Sequence, residues 1–272
     1  MSGMRIRLNA RRPGALTAFY IQALGFERVS SRAGVITLAL GASGLEIAAC
    51  EDQPYPDVVP GWSPLFQHFA VTTSDMAGAM ARLGRTQGWT PISRGGPQRL
   101  PANTGGVTAF KFRDPEGHPV ELIAFPDEPT GAAPRIDHSA ISVADTAMSV
   151  AFYEALGLVV GGRSLNRGPE QDRLDGLDGV EVEVTALRFP GGGAHVELLC
   201  YRGDYPQVAS RAEPDDVVAT RLVWDALSLE TVAGAFPAFV VTVDPTDGTL
   251  LLHDPDGHLL LMAQAPITPS AQ

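Results

Sequence analysis

The chain is poor in cysteine, in long apolar runs and in basic residues. Its 272 residues include two cysteines, Cys50 and Cys200, whose apolar neighbours are typical of packed thiols rather than of a disulfide framework. No run approaches the roughly 18 apolar residues that a membrane-spanning helix requires. The 20 Lys and Arg against 31 Asp and Glu give a net charge of −11, which argues against nucleic acid or an anionic membrane as partner.

The residues that are present have ordinary globular composition, with 44% hydrophobic and 19% charged residues. The length suggests about two domains. The first ten residues carry arginines but no apolar segment, so no signal peptide is predicted and we expect a soluble, cytoplasmic protein. The sequence contains neither a phosphate-binding glycine loop nor a dinucleotide-binding pattern.

The chain repeats itself, which predicts a duplicated architecture. Three motifs recur in the same order in both halves: FYIQALGF at 19–26 and FYEALGL at 152–158, DPEGH at 114–118 and DPDGH at 254–258, LEIAAC at 45–50 and VELLC at 196–200. In the Asp-Pro-x-Gly motif Asp caps its own backbone, Pro fixes φ and Gly supplies a positive φ. Each such motif therefore predicts a hairpin between two strands.

Each half divides again into two units with the order β-α-β-β-β, so the fold class is α+β. The predicted units span 4–52, 65–126, 135–202 and 216–265, grouped into domains at 1–127 and 134–266. Apolar spacing predicts the four helices at 14–24, 76–87, 147–156 and 229–236. Pro- and Gly-rich linkers are predicted at 54–64, 126–134 and 203–214. Two long loops, 94–106 and 166–179, are typical of functional walls or lids.

Four β-α-β-β-β units with these motifs resemble the vicinal oxygen chelate superfamily, which includes glyoxalase I, extradiol dioxygenases and bleomycin-binding proteins. The resemblance covers nearly the whole chain. It implies two glyoxalase/dioxygenase-like domains with curved sheets, each formed by a pair of units. It also implies metal ligands on the first and last strands of paired units.

Eight residues of this chain occupy those ligand positions. Along units one to four, the first strands carry Arg5, His68, His138 and Arg221, and the last strands carry Glu46, Glu121, Glu197 and Leu261. Pairing units in chain order would give two incomplete sites. Pairing unit two with unit three, and one with four, gives one complete His/Glu/His/Glu set and one degenerate cup, and we favour this arrangement.

The predicted metal ligands are therefore His68, Glu121, His138 and Glu197. Carboxylates in otherwise apolar strands are costly to bury unless they are paired or bound to metal. Imidazole with carboxylate suits a divalent transition metal such as Zn, Ni, Co, Mn or Fe rather than Ca or Mg. In the degenerate cup, Arg5 and Arg221 are expected to form an internal salt bridge with Glu46, and an anion-binding pocket is the alternative.

Other polar residues receive more modest interpretations. His118 and His258 follow turn glycines and are interpreted as hairpin ends, whereas His195 faces the same way as Glu197 but lies near a Gly-rich turn. The candidates for substrate contacts lie in and beside the long loops: Arg94, Arg99, Asn103, Arg163 and Asn166.

The resemblance implies a metal-dependent enzyme that transfers a proton next to a carbonyl, as a glyoxalase-like isomerase, epimerase or lyase. Glu121 or Glu197 would act as general base. The alternatives are an extradiol-type ring-cleaving dioxygenase and a sequestering protein without catalysis, although the intact ligand set argues against the latter. The expected partner is a small-molecule substrate, with no nucleic acid and no membrane, and the chain is expected to be a monomer or a homodimer.

Overall fold

The computed structural model describes residues 3–50, 54–57, 59–205, 212–226 and 228–264. The strands are β1 (Arg5–Ala10), β2 (Glu27–Arg32), β3 (Val35–Leu40), β4 (Ser43–Ala49), β5 (Gln67–Thr72), β6 (Thr90–Pro91), β7 (Gln98–Arg99), β8 (Thr108–Arg113), β9 (Pro119–Ala124), β10 (Ile136–Ser142), β11 (Val159–Arg167), β12 (Glu181–Arg188), β13 (His195–Tyr201), β14 (Arg221–Ala226), β15 (Val240–Asp244), β16 (Thr249–His253) and β17 (Leu259–Gln264). The helices are α1 (Pro13–Leu24), α2 (Met76–Leu83), α3 (Thr146–Ala155), α4 (Pro169–Asp175) and α5 (Leu229–Ala235).

The strands form two sheets, as the α+β prediction requires. One has eight strands in the order β15-β16-β17-β14-β1-β4-β3-β2, and we call it the unit-1/4 sheet. The other has nine strands in the order β11-β12-β13-β10-β5-β9-β8-β6, with β7 on β8, and we call it the unit-2/3 sheet. Unit two therefore pairs with unit three, and unit one with unit four, which confirms the predicted pairing.

In each sheet, the two units are joined at the centre by their first strands. These strands pair antiparallel, β5 with β10 and β1 with β14. Each half of the chain contributes strands to both sheets, so the division into domains at 1–127 and 134–266 stays a prediction. One large hydrophobic cluster contains residues of all four units and lies between the sheets and their helices.

The repeated motifs connect units that are consecutive in the chain. The hydroxyl of Tyr20 on α1 donates to Asp114 Oδ2 at 2.6 Å, and that of Tyr153 on α3 donates to Asp254 Oδ2 at 3.0 Å. Asp114 Oδ1 also accepts from the N–H groups of residues 116, 117 and 118, and Gly117 has φ of +106°. The turn chemistry predicted from the Asp-Pro-x-Gly motif is thus present.

Several local features differ from the predictions. The loop 166–179 contains α4, which begins with Pro169 in its first turn, where proline's missing N–H has no cost. Helix α2 ends at Leu83 with Gly84 as its C-cap, earlier than the predicted residue 87. Cys50 and Cys200 are not joined in a disulfide, and both are half-buried. The linkers predicted at 54–64 and 203–214 extend into positions 58 and 206–211, which lie outside the described residues. No described helix is long and apolar enough to cross a membrane.

Candidate metal centre

The central strands of the unit-2/3 sheet bring the four predicted ligands together. Ala70 on β5 lies opposite both His138 on β10 and Glu121 on β9. Ala140 on β10 lies in turn opposite both His68 on β5 and Glu197 on β13. The two small alanines leave the space between the larger side chains open, so the imidazoles and carboxylates converge above the middle of the sheet.

The ligand atoms of three of these residues are within 4.8 Å of one another. Glu121 Oε2 lies 2.8 Å from His68 Nε2 and 3.6 Å from His138 Nε2. Glu197 lies at the edge of this group, with its Oε2 3.6 Å from His138 Nε2. Metal–ligand bonds of about 2.1 Å at tetrahedral or octahedral angles separate neighbouring ligand atoms by about 3.0–3.5 Å. The donor types and their spacing therefore fit one divalent transition metal ion.

A carboxylate that the sequence analysis missed orients His138. The register between β5 and β10 shifts between Ile136 and His138, which is a β-bulge at Asp137. The bulge turns Asp137 toward the site, where its Oδ2 lies 3.0 Å from His138 Nδ1. An Nδ1–H donated to this carboxylate leaves Nε2 free to bind a metal, which is a common second-shell arrangement.

A second residue that the sequence analysis underrated is His195. Its Nε2 lies 3.3 Å from Glu197 Oε1, and its ring is buried. Asp137, His138 and His195 form a second group with the spacing of metal ligands, adjacent to the first. The signal was present in the sequence, because His195 precedes Glu197 by two positions and therefore faces the same side of β13.

The electrostatics of the site favour ionised carboxylates. Burial raises the pKa of Glu121, but the neighbouring His138 and the hydrogen bond with His68 outweigh this and hold the pKa well below its usual range. Burial and the charge of Lys111 lower the pKa of His68, so this imidazole is neutral, as metal ligation requires. The pKa of Glu197 is also lowered, because the charge of His138 and the hydrogen bond from His195 outweigh its burial.

The site lies in the wall of a cavity of about 380 Å³, large enough for a small molecule. Of the five predicted substrate contacts, Asn166 lines this cavity. Arg94 instead donates to Asp178 and to the Gly176 carbonyl, so it fastens unit two to the end of α4. Arg99, Asn103 and Arg163 are exposed and do not belong to the lining, and their contact with substrate stays a prediction. The cationic side chains that do line the cavity are Lys111, Arg135 and Arg188.

The equivalent positions in the unit-1/4 sheet hold an ion-pair cluster. Glu46 accepts from Arg5 Nε at 2.9 Å, as predicted, and its other oxygen lies 2.7 Å from Arg7 Nη2. The prediction that Arg221 also pairs with Glu46 was wrong. Arg221 donates to Asn9 and to the Pro214 carbonyl, because Arg7 lies opposite both Arg221 and Glu46 and pairs with that carboxylate.

Comparison with known proteins finds a family model that matches part of the chain and solved structures with a similar fold. Residues 5–122 match the model of the Glyoxalase/Bleomycin resistance protein/Dioxygenase superfamily. Glyoxalase I from Zea mays superposes with a TM-score of 0.61 at 16% identity, covering 96% of this chain and 92% of that one. A candidate dioxygenase from Bacillus subtilis gives 0.58 at 15% identity, covering 96% and 84%. The cppA protein from Streptococcus pneumoniae gives 0.52 at 12% identity, covering 96% and 97%.

A search of curated protein sequences finds no match. At these identities the structural likeness concerns the fold alone, and it covers both halves of the chain. Residues 5–122 therefore match the sequence model of the Glyoxalase/Bleomycin resistance protein/Dioxygenase superfamily, and the whole chain, whose four units build two sheets, has a fold similar to that of glyoxalase I from Zea mays.

Proposed function

We propose that the protein is a metal-dependent enzyme that transfers a proton next to a carbonyl group of a small oxygenated substrate. The observation that supports this most is the convergence of His68, Glu121, His138 and Glu197 in one cavity wall, with atoms at coordination spacing. A bound divalent metal would supply Lewis-acid stabilisation of the charge that develops on the carbonyl oxygen. His68, His138 and Glu121 would hold it.

Glu197 is the better general base of the two carboxylates. Its side chain is 22% exposed, whereas that of Glu121 is 7% exposed. Opposite Glu197 on β12 stands the small Ala186, whereas Lys111 on β8 stands opposite Glu121. A substrate therefore reaches the Glu197 carboxylate more readily, and that carboxylate would take a proton from the carbon beside the carbonyl and return it to a neighbouring atom.

His195 would position this base. Its Nε2 contacts Glu197 Oε1 at 3.3 Å, which leaves Oε2 directed toward His138 and the cavity. A carboxylate whose orientation is fixed before the substrate binds transfers protons without first having to reorganise.

The test compares Glu197→Gln with Glu121→Gln. We expect the Glu197 variant to retain metal and to lose about 10²–10⁴-fold of the proton-transfer rate, and the Glu121 variant to lose metal affinity first. The rate is measured by NMR as solvent deuterium exchange into small α-hydroxyketones, beginning with hydroxyacetone and dihydroxyacetone, and metal content is measured in parallel. If the two variants behaved alike in both measurements, the division of roles would be wrong.

One observation favours a second candidate, an extradiol-type dioxygenase. The tightest group, His68, Glu121 and His138, is a two-His, one-carboxylate set, the donor set of non-haem iron oxygenases. The same NMR assay separates the candidates, since proton exchange proceeds in the absence of O₂. Strict dependence on iron and O₂, with oxygen atoms incorporated into the product of a catechol, would favour the dioxygenase.

A further inference from the structure

Lys111 is the only lysine of the chain, and it lies inside the cavity. It is 5% exposed, on the strand that flanks Glu121, and directly opposite that residue in the ladder. Part of the surrounding wall is apolar and is formed by Leu100, Val107 and Leu174. A buried ammonium group in such a wall has a strong electrostatic effect on any ligand beside it.

One carboxylate holds this ammonium group in place. Lys111 Nζ donates to Asp175 Oδ1 at 2.7 Å. The other oxygen of Asp175 accepts from Gln171 Nε2 at 2.8 Å and from the Tyr201 hydroxyl at 3.1 Å. Asp175 thus accepts three hydrogen bonds and is fixed from three sides.

The hydrogen-bond donors of the ammonium group are not all used. It has three N–H donors, and within the described part of the chain Asp175 is its one hydrogen-bond partner. The Asp175 carboxylate stabilises the charged form of this group. Two buried, charged donors at a cavity wall require acceptors, and the cavity is where a ligand would supply them.

We propose that Lys111 binds a carboxylate of the substrate, so that the enzyme selects small carboxylates that also carry vicinal oxygens for the metal. The inference rests on the proposed function for the position of those vicinal oxygens. The substrate would lie with its anionic end toward Lys111 and α4 and its reactive carbon toward Glu197. Asp175 acts as the positioning residue that directs the ammonium group into the cavity.

The test uses chelators that differ in one carboxylate. Dissociation constants of catechol, 2,3-dihydroxybenzoate and 3,4-dihydroxybenzoate are measured calorimetrically with the Zn²⁺-loaded protein. We expect at least one carboxylated isomer to bind about 10- to 100-fold more tightly than catechol, the range of a charge-assisted hydrogen bond. Lys111→Met together with Asp175→Asn removes both charges, so no unpaired ion remains buried, and should reduce that ratio to about one.

Two further variants separate recognition from structure. Asp175→Asn alone removes the carboxylate that positions the ammonium group but leaves the ammonium group itself, so it should lower the carboxylate preference without abolishing it. Arg188→Gln removes an exposed cation of the same cavity and should change the ratio by less than about twofold. Because intrinsic differences between the chelators are the same for every variant, a change in the ratio reports Lys111.

The proposal is overturned if no carboxylated chelator exceeds catechol in the wild type, or if the preference survives in the double variant. Failure of the proposed function has a different signature, namely absence of bound metal or of proton exchange. In the metal-free protein, benzoate against benzamide provides the same carboxylate comparison. A preference for benzoate that disappears in the double variant would support the role of Lys111 even if the proposed function fails. If the wild-type protein showed no preference for benzoate, the role of Lys111 would be contradicted.

Discussion

The two sheets of the molecule share one topology and differ in the chemistry at their centres. In both, the first strands of two units pair antiparallel, and a parallel strand flanks each of them. The unit-2/3 sheet places two imidazoles and two carboxylates at the equivalent positions where the unit-1/4 sheet has Arg5, Arg221, Glu46 and Leu261. The difference therefore lies in these side chains and in the residues between them, where Arg7 of the unit-1/4 sheet takes the position of Ala70.

This comparison teaches that the fold does not require the His/Glu constellation. The unit-1/4 sheet forms the same architecture with an arginine–carboxylate cluster at its centre. Buried imidazoles and carboxylates contribute little net stability once desolvation is counted. Their presence in one sheet is therefore better explained by ligand binding than by folding.

The largest expected effect is the difference in metal affinity between two variants, one without a predicted ligand of the unit-2/3 sheet and one without the equivalent residue of the unit-1/4 sheet. His138→Ala should lower metal affinity by more than about 100-fold, because it removes a ligand rather than a second-shell partner, whose loss costs about 10–100-fold. Arg221→Ala should retain about one metal ion per chain. Metal analysis and competition with a chromophoric chelator measure both. Equal loss of metal in the two variants would show that the sheets do not divide the roles in this way.

A smaller effect is expected from the carboxylate of the arginine cluster. Glu46→Gln leaves Arg5 and Arg7 without their shared partner and should lower the free energy of unfolding by about 3 kcal/mol in urea denaturation. The triple variant with Arg5→Met, Arg7→Met and Glu46→Leu should regain most of this loss, since it leaves no unpaired charge. A triple variant as unstable as Glu46→Gln would mean that the cluster itself is required.

The sequence predicted the centre of each sheet better than its surroundings. The four ligand positions follow from strand repeats, and their joint occurrence decided the pairing of units that the sheets confirm. Asp137 was missed because a β-bulge breaks the alternation by which strand faces are predicted. Lys111 was missed because its partner, Asp175, ends a helix inside a segment that was predicted as a loop.

The arginine cluster shows the same limit. Arg5 was matched correctly with Glu46, but Arg221 was not, because Arg7 stands opposite both Glu46 and Arg221 and pairs with the carboxylate itself. The equivalent position in the unit-2/3 sheet is the small Ala70, which leaves His138 and Glu121 free to meet. The prediction compared the ligand positions alone and did not consider the residue between them.

The smallest expected effect is on the free energy of unfolding, at the two junctions where a turn of one sheet contacts a strand of the other. His118, in the β8–β9 turn, lies 2.9 Å from the Asn9 carbonyl of the unit-1/4 sheet, and His258, in the β16–β17 turn, lies 2.8 Å from the Ser142 carbonyl of the unit-2/3 sheet. The junctions differ in two contacts, because His118 Nε2 also lies 3.1 Å from the Val217 carbonyl and His118 Nδ1 lies 2.9 Å from Asp114 Oδ2. A ring that faces acceptors at both nitrogens is stabilised in its protonated form.

This contact predicts a pH-dependent stability at the His118 junction. Burial lowers the pKa of His118, but the Asp114 carboxylate outweighs burial and raises it above the unfolded value of about 6.5. A raised folded pKa gives stability that is complete below the unfolded pKa and is lost as pH rises through the folded one. His118→Asn should therefore cost about 2 kcal/mol near pH 6 and progressively less as the pH rises above 7. Urea denaturation at pH 6, 7, 8 and 9 measures this, with His258→Asn as the matched loss of a ring–carbonyl contact at the other junction. A cost for His118→Asn that stays constant over this pH range would show that Asp114 and His118 do not form an ion pair.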